Sequence, residues 1–240
     1  MRRAIRVVPL VAAALIVVAI VLRPNESMPS IANLNAWKLT LPTDSNGDND
    51  PDEIKMPTLE GYKSRFFRAD KGRITFRANA GGTPTIGSDF ARSELREMSA
   101  SDYSKASWSS AKETHTMTLV QAITHVPQVR PSIVAGQLHG PDNEFVALVR
   151  LDGRKLYVKT PSGIAGVLDP NYHIGTRFAL KIIAERNHIV VMYDDMTEVR
   201  IDYACHACYF KAGAYLQSNT KWDNPNAYGE VDVFSLKITP

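Results

Sequence analysis

An antiparallel β-sandwich or jelly roll is the fold class this chain predicts, and three observations carry the prediction. Short runs of alternating apolar and polar residues recur from residue 37 to the C-terminus. Turn residues separate the runs. No long stretch shows the 3.6-residue apolar period of a helix, so many strands at close spacing remain as the reading.

In chain order, Trp37-Lys-Leu-Thr-Leu-Pro42 is the first strand. The acidic loop Asp44–Glu53 follows. A calcium loop of the EF-hand type needs Gly at its sixth position and Glu at its twelfth; counted from Asp44, these are Asn49 and Lys55, so a solvated acidic turn fits better. Further strands are expected at Arg73–Arg77, Arg92–Met98, Thr116–Val126, Ser132–His139, Glu144–Leu151 and Arg154–Lys159. The series continues with Arg177–Ala184, His188–Tyr193, Glu198–Tyr203, Tyr209–Gln217 and Gly229–Ile238. Phe178, Leu180 and Ile182 alternate with Arg177, Ala179 and Lys181, the pattern of a half-buried strand. Leu151-Asp-Gly-Arg154 reads as a hairpin turning on Asp-Gly, and Arg186-Asn187 as a second tight reversal.

The chain has 240 residues, 44% of them apolar and 22% charged, a globular composition. Four of its 28 basic residues (Arg2, Arg3, Arg6, Arg23) and one of its 25 acidic residues (Glu26) lie in the first 26, leaving a body with 24 of each sign. A formally neutral body excludes the broad basic field on which non-specific nucleic-acid binding rests. The N-terminal arginines precede an apolar run, Val7–Leu22, with no Ala-x-Ala site after it. Residues 1–23 therefore read as a signal peptide or a membrane anchor through residues 7–22. Either way the body is exported: secreted, periplasmic or anchored facing outward. Residues 24–30 are a linker, the polar stretch running on to Asn35, and 31–240 form one domain, expected to be a monomer.

Export makes a disulfide between Cys205 and Cys208 the favoured reading of the two cysteines, with free thiols as the alternative. Zinc needs about four ligands, and only His206 is near.

Three stretches break the rule that a strand face is either core or plain surface. Tyr209-Phe-Lys-Ala-Gly-Ala-Tyr-Leu-Gln217 places Tyr209, Lys211, Gly213, Tyr215 and Gln217 on one pleat face. Arg92, Glu94 and Arg96 share a face in the second stretch, and Gln137 and His139 share one in the third. Each alone has a structural explanation, such as Glu94 bridging two arginines on an exposed sheet. Together they supply cations, an amide, an imidazole and a phenol, which suits β-elimination on a uronic-acid polymer. That reaction removes the proton at C5, beside a carboxylate whose charge opposes carbanion formation, and expels the oxygen at C4. Arg92 and Gln137 suit neutralising the carboxylate, and His139 and Tyr215 suit the base and the acid. A tyrosine serving as base needs Arg92, Arg96 or Lys211 to favour its phenolate. No metal or other cofactor is called for.

These stretches resemble the three signature blocks of the alginate lyases of polysaccharide lyase family seven, and Trp37–Pro42 resembles that family's first strand. The likeness spans residues 31–240. It implies a β-jelly roll whose concave groove binds an acidic polysaccharide and cleaves alginate, a polymer of mannuronate and guluronate, leaving unsaturated ends. It implies Arg92 and Gln137 on the substrate carboxylate, His139 as base towards guluronate, and Tyr215 as acid that doubles as base towards mannuronate. Glu94, Arg96, Lys211 and Gln217 match positions that support or contact the sugar chain. Leu138 stands where the family has Ile or Val, which leaves the preference between the two uronates open. A lyase for another polyuronate such as glucuronan, or a non-catalytic jelly roll that binds acidic glycans, are the alternatives. A glycosidase needs a carboxylate pair flanking the bond, which Glu94 between two arginines does not offer.

Overall fold

The structure, a computed structural model, describes residues 31–70 and 72–239. The signal or anchor segment and the linker lie outside the described residues. Fifteen strands are present among the described residues: β1 (Trp37–Thr40), β2 (Glu53–Ile54), β3 (Phe67–Asp70), β4 (Arg73–Asn79), β5 (Arg92–Glu97), β6 (His115–His125), β7 (Ser132–His139), β8 (Phe145–Asp152), β9 (Lys155–Thr160), β10 (Gly163–Asp169), β11 (Phe178–Glu185), β12 (His188–Tyr193), β13 (Thr197–Asp202), β14 (Tyr209–Leu216) and β15 (Tyr228–Thr239). They form two antiparallel sheets. One has the order β10-β9-β8-β7-β14-β5-β1-β2, the other β13-β12-β11-β6-β15-β4-β3.

Apolar residues of both sheets meet between them. Leu39, Leu95, Ile133, Leu138, Phe210, Ala212 and Ala214 from the first sheet belong to one buried cluster with Phe76, Met117, Leu119, Leu180, Ile182 and Val231 from the second. Each fully buried Leu, Ile or Phe contributes about 1.5–3 kcal/mol. The alternation in β14 is thereby explained: Phe210, Ala212 and Ala214 face the core, which frees Tyr209, Lys211 and Tyr215 for the outer face. Leu138 packs into the same core, between Gln137 and His139 in sequence but on the other side of the sheet.

The strand order brings the three polar stretches together. β14 lies between β7 and β5, so segments far apart in sequence become the centre of one sheet. Two irregularities sharpen their aim. Between Val134 and Gln137, β7 carries one residue more than β8. Between Lys211 and Tyr215, β14 carries one more than β7. Such bulges redirect side chains and raise local twist. Gly213 sits in the second one at φ +138°, where an added Cβ would lie 2.6 Å from the Ser93 carbonyl oxygen. Only glycine fits there.

Several expectations need correction. Ile31, Ala32 and Leu34 are buried, with Ala32 bridging to Leu236, so the segment just before β1 is packed structure and no continuation of a linker. β2, β3 and β10 are strands that the sequence pattern did not reveal. The β8–β9 hairpin pairs Asp152 with Lys155, so Gly153 and Arg154 form the turn, one residue later than the Asp-Gly reading placed it. Gly153 takes φ +60° there. The Arg186-Asn187 reversal joins Glu185 to its partner His188, as the sequence indicates. In the acidic loop, Asp44 accepts from the backbone N–H groups of Gly47, Asp48 and Asn49 at 2.7, 3.2 and 2.9 Å. Cys205 and Cys208 form a disulfide immediately before β14.

Candidate active site

Register determines which polar groups meet. Along β14, Lys211 pairs with Arg96, Gly213 with Glu94 and Tyr215 with Arg92 of β5. On the other side, Tyr209 pairs with His139, and Lys211 with Gln137 of β7. Although they lie on the outer face of the sheet, Arg92, Glu94, Gln137, His139 and Lys211 are all at least nine-tenths buried. Charged groups held this dry interact strongly with one another and with an incoming charge.

At the centre is Glu94. Its Oε2 lies 3.3 Å from Arg92 Nη1 and 3.8 Å from Lys211 Nζ. Its Oε1 accepts a short bond from the Gln137 amide nitrogen. An ionised carboxylate can only accept, so it fixes the amide with its NH2 group towards Glu94 and its oxygen towards His139. That oxygen lies 2.9 Å from His139 Nε2. On the far side of the ring, His139 Nδ1 lies 3.0 Å from the Asn143 carbonyl, another group that can only accept. Burial first, then the Lys211, Arg92 and Arg96 cations, hold the imidazole well below its ordinary 6.5, against the opposing pull of the Asn143 carbonyl. A neutral ring has one N–H for two acceptors. With the proton on Nε2 the ring donates to the Gln137 oxygen; with the proton on Nδ1 it donates to the Asn143 carbonyl and Nε2 carries a free lone pair.

Tyr215 joins this network from the opposite end. The Arg92 guanidinium carbon lies 3.9 Å from the centre of its ring, and its hydroxyl shares a 3.0 Å hydrogen bond with Ser88 Oγ. Arg92 Nε is buried without a protein hydrogen-bond partner. The order of groups is thus His139, Gln137, Glu94, Arg92, Tyr215: an imidazole and a phenol flanking a buried clamp of cation and amide donors.

Tyr209 behaves differently, although it shares the same pleat face. Its ring stacks on His139 at 5.2 Å between centroids, and its hydroxyl donates to Asn143 Oδ1. Burial raises its phenol above the ordinary 10, with Arg96 working against the rise. Tyr209 is a wall of the imidazole's pocket.

Two other residues picked from sequence parity find partners away from the centre. Arg96 turns to the Glu97 and Ala106 carbonyls and lies 3.9 Å over the Tyr209 ring, so Glu94 bridges Arg92 and Lys211 in place of two arginines. Gln217 accepts from Arg150 Nη1 at 3.1 Å, further along the sheet.

Beside the network opens a cleft of about 640 Å³ whose lining includes Lys38, Arg92, Arg96, Lys105 and Lys211 against the acids Glu53 and Asp142. Excess positive charge suits a polyanion. Lys38, paired with Glu53, was findable, since Lys38 and Thr40 alternate with Trp37, Leu39 and Leu41 as the other blocks do. Ser88 and Asn143 were not. Ser88 lies in a loop and Asn143 in the short 3-10 helix Pro141–Asn143, where no strand period assigns a side to a side chain.

A family model described as "Alginate lyase" matches residues 32–240. The chain belongs to the alginate lyase family. A curated alginate lyase from Klebsiella pneumoniae is 44% identical over 69 residues, a match spanning 27% of this chain and 22% of that protein. Among solved structures, the alginate lyase AlgAT5 of polysaccharide lyase family 7 is similar at 41% identity with a TM-score of 0.80. The match covers 86% of this chain and 94% of that one. An alginate lyase from Corynebacterium sp. gives 35% identity and a TM-score of 0.80 over the same shares. The two-sheet architecture and its sequence resemblance to alginate lyases therefore agree.

Burial, only partly offset by Glu94 and reinforced by Arg92, Arg96 and Lys38, lowers the Lys211 ammonium to about 8. Below that pH it is a cation in the groove; above it the charge is lost. kcat/KM on an acidic polymer is therefore expected to fall as pH rises through about 8. Lys211→Arg keeps a charge throughout and should remove this limb from the profile, whatever it does to the absolute rate. An unchanged limb in that variant would assign the titration to another group.

Proposed function

We propose that this chain cleaves alginate by β-elimination in the groove centred on Glu94. One observation carries the reading: His139 and Tyr215 stand at opposite ends of a single buried network, with the carboxylate clamp between them. A uronate entering the groove presents its carboxylate to Arg92, whose Nε has no protein partner, and to the amide of Gln137. Turning towards the substrate, Gln137 releases Glu94 and withdraws its oxygen from His139 Nε2. Neutralising the carboxylate lowers the barrier to forming the carbanion at C5. Nε2 takes the C5 proton, and the electron pair left behind forms the C4–C5 double bond as the C4–O bond breaks. Tyr215 delivers a proton to the departing oxygen, and both residues return to their starting states by exchange with water. Lys211 and Glu94 hold the clamp in register.

Supporting this substrate class are the surplus of cations around the cleft and the membership of the family. Export of the domain rests on Arg2, Arg3, Arg6 and the apolar run Val7–Leu22.

The test is a digest of alginate, followed by the ultraviolet absorbance of a double bond conjugated with the C5 carboxylate and by product size. A rise in absorbance with shortening of the polymer is expected. No rise on mannuronate-rich or guluronate-rich alginate rules the activity out, and binding without product would identify a glycan-binding module.

A further inference from the structure

Beyond Tyr215 the network continues into groups that the elimination does not use. The Phe90 ring lies 6.5 Å from Tyr215 and 6.1 Å from Trp222. Over Trp222, at 3.9 Å from the ring centre, lies the guanidinium of Arg130, which is also 5.4 Å from Phe90. Tyr215, Phe90 and Trp222 thus form one line of three aromatic rings with a guanidinium at each end, Arg92 over Tyr215 and Arg130 over Trp222. Trp222 is 42% exposed, so part of the indole is offered to solvent at the end of that line.

The platform is built rather than incidental. Phe90, Arg130 and Trp222 come from three loops, and specific bonds tie the loops together. Buried Asp223 accepts from the backbone N–H groups of Val129 and Arg130 at 2.9 and 3.0 Å and from Ser218 Oγ at 2.6 Å. Asn219 Nδ2 donates to the Asp89 carbonyl at 3.1 Å. Asp223 thereby spends its charge on the backbone and leaves the Arg130 side chain unneutralised; Arg130 takes part in no ion pair among the described residues.

We infer that Phe90, Trp222 and Arg130 form a distal subsite for a uronate residue of the same polymer chain, its pyranose ring against the aromatic faces and its carboxylate on Arg130. This rests on the reading of the groove as a polyuronate site. The fit is chemical. A pyranose has a face of C–H groups that packs on an aromatic ring, and a guanidinium matches a carboxylate through two parallel hydrogen bonds. Orientation by the three-loop frame lowers the entropic cost of capture. Binding energy gathered here secures a long chain without touching the reacting bond.

The deciding measurement is the ratio of KM for short unsaturated-end-free oligouronates to KM for the polymer, taken for the wild type and for Arg130→Gln. Short oligomers confined to the catalytic centre do not reach the platform, so loss of the subsite weakens only the polymer. The polymer's KM is expected to rise on the order of tenfold relative to the oligomer's, the size of one lost charge-assisted contact. Trp222→Ala should shift the ratio in the same direction, with its thermal melt recorded to show that the loops remain folded. A ratio unchanged in Arg130→Gln overturns the subsite, whether both KM values stay put or both rise together. Failure of the wild type to act on alginate would instead remove the groove reading on which the subsite rests.

Discussion

Tyr215→Phe is expected to lower kcat on alginate by roughly 10²–10⁴, the usual contribution of a positioned proton donor or acceptor, with KM changed little. Removing one oxygen leaves the ring beneath the Arg92 guanidinium, so the clamp keeps its packing while the leaving oxygen loses its acid. The informative control is Tyr209→Phe. Both phenols project from the same face of β14, but the Tyr209 hydroxyl is committed to Asn143 Oδ1, whereas that of Tyr215 meets only the half-buried Ser88. Tyr209→Phe should therefore cost far less in kcat. If steady-state rates on one alginate preparation show the larger loss in Tyr209→Phe, the acid has been assigned to the wrong phenol.

His139→Ala is expected to cost about as much, roughly 10²–10⁴ in kcat, and with an added dependence on substrate. His139 is proposed as the base towards guluronate, and Tyr215, as the family resemblance implies, is proposed as the base towards mannuronate. Guluronate-rich blocks should therefore suffer more than mannuronate-rich blocks when the two are assayed side by side. The pH profile carries a second signature. Burial and three neighbouring cations favour the neutral imidazole, so the wild type should keep its base available through neutral pH and lose it only well below 6.5. An acidic limb that survives unchanged in His139→Ala would mean that another group takes the C5 proton. Polymer binding, measured without turnover, should persist in the variant because Arg92, Gln137 and Lys211 remain.

Much of the fold was legible because strand periodicity is local. β7 and β12 begin and end at the residues that alternation and flanking turns mark, Ser132–His139 and His188–Tyr193. The strands that escaped notice are those whose pattern is short or broken. β2 has two residues and β3 four, both at sheet edges. β10 is also an edge strand, interrupted by register shifts between Ile164 and Gly166 and between Val167 and Asp169, and it leaves Ile164 and Val167 exposed. An edge strand with one free side and bulges has no continuous apolar face to betray it. The hairpin after β8 slipped by one residue for a related reason, since Asp-Gly-Arg permits more than one two-residue turn and pairing across the sheet chooses.

By itself, then, the sequence determined the all-β class, the polar face of each central strand and the set of groups from which a site could be made. A period of two settles which side of its own strand a residue occupies, with no knowledge of any neighbour. Only the tertiary structure decided that β7, β14 and β5 lie side by side, that Glu94 holds Arg92, Lys211 and Gln137 instead of two arginines, and that Arg96 and Gln217 turn elsewhere. It also gave Tyr215 and Tyr209, which parity alone makes equivalent and the family resemblance had distinguished, different partners: Ser88 for Tyr215 and Asn143 for Tyr209. Those outcomes depend on strand order, on bulges and on residues between strands such as Ser88 and Asn143, all products of contacts between segments remote in sequence.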